Sequence, residues 1–225
     1  MKWFIGLIII SMLVLVGCTS STDPKDDSCL LLEEGPTRQN CYFEKLQCSK
    51  MTAGPLRDSC VAELAKQKKD IAVCTLIKDE TVLGYCQEQI AELTNDQLVC
   101  NSIANTYWQD NCNFHLGVNN SEDTYCDLIG DNEQKRTCFQ TIAFDTNNPA
   151  LCEFLPQENQ DACVFTIARQ TLNATLCGTL NTSIDKDACR YKIAKESNQQ
   201  EYCNLIVSKD IQRMCEQKFN TSSAQ

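Results

Sequence analysis

The sequence predicts an all-α solenoid of about eight 26-residue helix–turn–helix repeats, each stapled by one disulfide. Three observations carry this. The first cysteine of a unit recurs at Cys48, Cys74, Cys100, Cys126, Cys152, Cys177 and Cys203, in steps of 26 residues with a single 25. A second cysteine follows at Cys60, Cys86, Cys112, Cys138, Cys163, Cys189 and Cys215, after 12 residues or, once, 11. Apolar residues travel with these cysteines at helical spacing. Cys29 and Cys41 make one further unit, from which a step of only 7 residues leads to Cys48. A fixed period of this size marks an architecture in which each unit buries its apolar face on the next.

Taken from the start, Met1–Val16 has one lysine, Lys2, and then an apolar run too short to span a bilayer comfortably. It ends Leu15-Val16-Gly17-Cys18, which resembles the lipobox of prokaryotic lipoproteins. The resemblance implies a signal peptide over 1–17 and a lipidated Cys18; an uncleaved signal anchor is the alternative. Cys18 is also the seventeenth cysteine, the one the ladder leaves without a partner. Residues 18–27 are polar and read as the lipidated cysteine and a flexible tether. The repeat domain follows over 28–219, and 220–225 read as a disordered tail.

Within each unit, the residue three after the first cysteine is apolar: Leu32, Met51, Ile77, Ile103, Ile129, Leu155, Leu180 and Ile206. Four and five after the second cysteine stand Leu64-Ala65, Ile90-Ala91, Ile142-Ala143, Ile167-Ala168 and Ile193-Ala194, with Leu116-Gly117 in unit four. These spacings place cysteine and aliphatic side chains on one helix face, and the small residue lets a neighbouring helix approach. Asp70, Asp96, Asn148 and Asn173 each lie four before a first cysteine, as N-caps would. Pro149 suits a first helical position. Gly35-Pro36, Gly54-Pro55, Gly130-Asp131 and Pro156 mark turns between paired cysteines. The short helix is expected to run about 7 residues and the long one about 13 to 15, too short to persist alone in water.

Two pairing registers compete, the 12-step within a unit and the 14-step between units. The 12-step uses all sixteen ladder cysteines and sets each pair about midway around its turn. It therefore predicts Cys29–Cys41, Cys48–Cys60, Cys74–Cys86, Cys100–Cys112, Cys126–Cys138, Cys152–Cys163, Cys177–Cys189 and Cys203–Cys215. Such bonds persist outside the cytoplasm. The formal charge of −10 argues against nucleic acid as a partner. The scattered acids are expected to form a solvated face. Asn119, Asn173, Asn181 and Asn220 stand in sequons and are possible glycosylation sites.

With its Cys-x-x-(Ile/Leu) and Cys-x-x-x-Ile-Ala patterns, the chain from Cys29 to Cys215 resembles the cysteine-paired helical-repeat surface lipoproteins of archaeal type. That resemblance implies a cell-surface location and no particular activity. The chain is thus expected on the outer face of the cell membrane, held through an N-terminal lipid or signal anchor. The function expected is a scaffold or binding module for a surface protein, peptide or glycan. Alternatives are a cysteine-rich helical Cu or Zn storage protein, and an enzyme with an unrecognised site. No catalytic, cofactor-binding or metal residues are assigned. His115 is the only histidine, so Cys/His and Ser/His pairs have a single candidate base. It lies in unit four, which departs most from the pattern. Trp108, read as a turn residue, and His115 are the possible binding residues. Cys18→Ser is expected to release the protein from the membrane fraction or leave it unprocessed; cell fractionation and intact mass measure this. An unchanged mass and location would exclude the lipid anchor.

Overall fold

The computed structural model describes residues 27–222, which contain helices and no strand. Cys18, the segment 1–17 and the tether up to residue 26 lie outside the described residues. Eight helix pairs follow one another. The long helices are α1 (Pro36–Glu44), α2 (Pro55–Lys68), α3 (Glu80–Thr94), α4 (Thr106–Asn120), α5 (Asn132–Asp145), α6 (Gln157–Gln170), α7 (Ser183–Ser197) and α8 (Lys209–Ser222). Each packs on the next and on the short helix between them, which gives a two-layered solenoid. The cystines are all within units, with Cα atoms 5.5–5.9 Å apart. That separation lies inside the range a disulfide needs.

The short helices are shorter than expected, three to six residues, and most are 3₁₀ turns. The reason lies in the Cys-x-x-(Ile/Leu) spacing. In every unit the apolar residue donates its N–H to the carbonyl of the first cysteine, as Ile77 does to Cys74 at 3.0 Å. This bond closes a tight turn rather than continuing a helix. The aliphatic side chain then enters the core, where Met51, Ile77, Ile103, Ile129, Leu155, Leu180 and Ile206 are buried. Ala65, Ala91, Ala143, Ala168 and Ala194 are wholly buried. At Gly117 an added Cβ would meet Tyr125 Cβ at 3.2 Å and Cys138 Sγ at 3.3 Å, so this seam takes no alanine without adjustment.

The caps follow the sequence. Asp70, Asp96 and Asn148 accept the N–H of Ala72, Leu98 and Ala150 respectively, and Asn173 accepts that of Thr175. Helices α1 to α7 each end on a left-handed residue that is never glycine: Leu46, Lys69, Asn95, Ser121, Asn147, Leu172 and Asn198. The following N–H then bonds back to a carbonyl five residues earlier, as Asp96 does to Ala91 at 3.0 Å.

Three expectations are corrected. Tyr107 and Trp108 are not in a turn; they sit in the first turn of α4, after the Asn105 cap. The last helix runs to Ser222, so residues 220–222 are helical rather than part of a loose tail. The acids are not all solvated, since Asp58, Glu88, Asp110 and Asp187 are buried. Three of these four stand two residues before a second cysteine and reach across to the next unit. Asp110 accepts the N–H groups of Gly130 at 2.8 Å and Asp131 at 2.9 Å. Asp58 does the same for Lys78 and Asp79, and Asp187 for Val207 and Ser208. Where the receiving turn holds Pro156, which has no N–H, the equivalent position is Arg136 and no such clasp exists.

Burial alone would raise the pKa of Asp187, but the two N–H groups and Arg190 outweigh it and hold the carboxyl below its usual range. Its contribution to stability is therefore present above the ordinary carboxylate pKa and lost as pH falls through the depressed one. Asp187→Ala should cost about 2 kcal/mol locally by stranding both amides. Hydrogen exchange is the measurement: the Val207 and Ser208 amides should exchange roughly thirtyfold faster, and unchanged rates would show the clasp to be idle.

Candidate functional site

Units three and four break the repeat together. The clasp position of unit three is Gly84, and an added Cβ there would run into the Trp108 ring of α4. Glycine is needed for that close approach rather than for its backbone freedom. With no carboxylate at this position, the indole packs where a clasp would otherwise sit. Tyr85 and Tyr107 meet the Trp108 ring edge-on, with centroids 5.8 and 5.1 Å away. Tyr85 and Tyr107 are exposed, and Trp108 is half-buried. Tyr85 and Trp108, together with α2, border an open groove of about 300 Å³, lined also by Ala62, Glu63, Lys66, Val82 and Gln89. Aromatic rings beside one cation, one carboxylate and an amide suit an amphipathic ligand.

Beside this groove, on the seam between α3 and α4, lies the second departure. Glu88 and Glu92 are four residues apart on α3, so they share a face. His115 of α4 stands between them, its Nε2 3.6 Å from Glu88 Oε1 and its Nδ1 3.9 Å from Glu92 Oε1. One ligand atom from each of the three lies within 4.8 Å of the others. Glu88 is buried, Glu92 half-buried and His115 exposed. One turn further along, Asn120 Nδ2 donates to Asn95 Oδ1 at 2.6 Å and closes the seam. Chemically the cluster can hold a cation.

Of the residues singled out from sequence, Trp108 and His115 are both on α4 and serve different neighbours, the groove and the carboxylate pair. Sequence reasoning did not reach Glu88, Glu92, Tyr85 or Gly84. A register argument was available: Glu88 is two and His115 three residues past the second cysteine of adjacent units, hence at similar heights on neighbouring helices. Asn119, Asn173, Asn181 and Asn220 are all exposed; Asn181 Nδ2 donates to Asp161 at 3.1 Å. Comparison with protein-family models, curated proteins and solved structures finds no match.

Burial, and then the Glu92 carboxylate beside it, push the Glu88 pKa up to about 7. A folded pKa above the ordinary value means the associated stability is full below the ordinary carboxylate range. It is lost as pH rises through about 7. In chelator-containing buffer, Glu88→Gln should therefore narrow the stability gap between about pH 5 and about pH 8, by on the order of 2–3 kcal/mol. Denaturant unfolding at the two pH values measures it, and an unaltered gap would mean Glu88 is not strained by its charge.

Proposed function

We propose that this chain is a lipid-anchored helical-repeat binding module on the outer face of the cell membrane. It takes a peptide or glycan in the groove between α2 and α3, against Tyr85 and Trp108. The observation that carries this reading is the substitution of the inter-unit clasp by Gly84 and Trp108, which leaves aromatic edges at an open groove. A solenoid whose units contact only their neighbours can lose one clasp without losing the array, so a ligand surface there is tolerated. The Leu15-Val16-Gly17-Cys18 motif supports the anchor, and eight disulfides support an oxidising location. Asn119, Asn173, Asn181 and Asn220 would carry glycans outside the cell. Against the thiolate-storage alternative, the sixteen ladder cysteines are in disulfides.

Once residues 1–17 are removed, Trp108 is the remaining one of the two tryptophans. Its fluorescence therefore reports the groove directly. Titration with panels of peptides and oligosaccharides should shift its emission with at least one class. Tyr85→Ala should weaken that ligand by about tenfold or more, as loss of an aromatic contact at a binding hot spot does. No response to either panel, or equal affinity in the variant, would rule the groove out.

A further inference from the structure

We propose that Glu88, Glu92 and His115 bind a divalent transition-metal ion of the Zn²⁺ class, which bridges α3 and α4. The first argument is that Glu88 breaks the repeat. Two residues past the second cysteine, the other units carry Phe43, Ala62, Phe114, Gln140, Phe165, Tyr191 and Gln217, uncharged in every case. Only unit three buries a carboxylate there.

The second argument is that the fold offers this carboxylate no donor. The other buried acids, Asp58, Asp110 and Asp187, each accept backbone N–H groups. No hydrogen bond reaches Glu88 among the described residues. Its side chain is 5% exposed, and the nearest basic group is His115 Nε2 at 3.6 Å, beyond hydrogen-bond reach. Held as an anion without a donor, such a buried carboxylate is costly; it either keeps a proton or is offset by a cation beside it. A second carboxylate, Glu92, deepens the same negative pocket.

The third argument is the donor set. An imidazole and two carboxylates suit Zn²⁺ and its neighbours, whereas Ca²⁺ and Mg²⁺ ask for oxygen ligands alone. Ligands about 2.0–2.2 Å from a tetrahedral ion lie roughly 3.3 Å from one another. The Glu88–His115 separation of 3.6 Å is already close to that. Glu92 and the half-exposed His115 are the side chains with room to close the remaining distance, and a water would complete a tetrahedral set. The site shares no residue with the aromatic groove and does not depend on it.

The test uses the full chain without a polyhistidine tag, in detergent, titrated calorimetrically with Zn²⁺ alone. One equivalent should bind and raise the melting temperature, since an ion bound only by the folded seam stabilises it. His115→Ala and the near-isosteric Glu88→Gln should each weaken binding by at least about tenfold, the lower end of what even outer-shell changes do to metal sites. His115 is exposed and the cystines are untouched, so circular dichroism should be unchanged in that variant. Co²⁺ in place of Zn²⁺ should give the visible absorption of a four-coordinate ion, absent in His115→Ala. Absence of Zn²⁺ binding, or equal binding in both variants, would overturn the proposal.

Discussion

Each helix pair is held at one height by a cystine, and the rest of the fold is arranged about that crosslink. Helices of 9 to 15 residues are marginal in water, and turns of three to six residues have no independent stability. The apolar material is thin. It falls into five separate clusters rather than one core, and each contains cysteines. Fifteen of the sixteen ladder cysteines are buried, so the crosslinks are also the most repeated component of the interior. The wholly buried alanines five residues on then set how closely the next unit can approach.

Register between units has a different origin. It comes from carboxylates that stand two residues before the second cysteine and bind the backbone of the following turn. The coincidence of Arg136 with Pro156 fits this logic, because the proline removes one of the two N–H groups that a clasp takes. In unit one the amide oxygen of Gln39 takes the carboxylate's place and accepts the Thr52 N–H, whereas at Gly84 and Trp108 the clasp gives way to packing. The two features with chemical potential, the groove and the Glu88 cluster, both border this one interrupted seam.

Much of this was legible in the spacing of residues and some was not. Period, parity and the steadiness of the 12-step pointed to the cystines, and the Asp and Asn caps lay at fixed offsets from them. The clasps were hidden because Asp58 and its partners Lys78 and Asp79 are 20 and 21 residues apart, and the acceptors are backbone-directed, which leaves no complementary side chain to notice. Sequence separation concealed the Glu88 cluster as well: two glutamates four apart on a helix are ordinary, and His115 is ordinary too, until adjacent helices bring them together. The role of Gly117 could be seen as a departure but not explained, since the atoms that crowd it belong to unit five.

The contacts between nearest neighbours, combined with one closed loop per unit, also determine how the chain would respond to tension. Pulled from its ends, the solenoid can separate unit by unit, because among the described residues each long helix packs mainly on its immediate neighbours. The cystine short-circuits the 12 residues inside each loop, so only the 14-residue step between loops can lengthen. At about 3.5 Å per residue that allows roughly 50 Å per unit, against roughly 90 Å if the loop were open. Under load the molecule is a line of covalently closed links, each of which yields about half its contour and then stops.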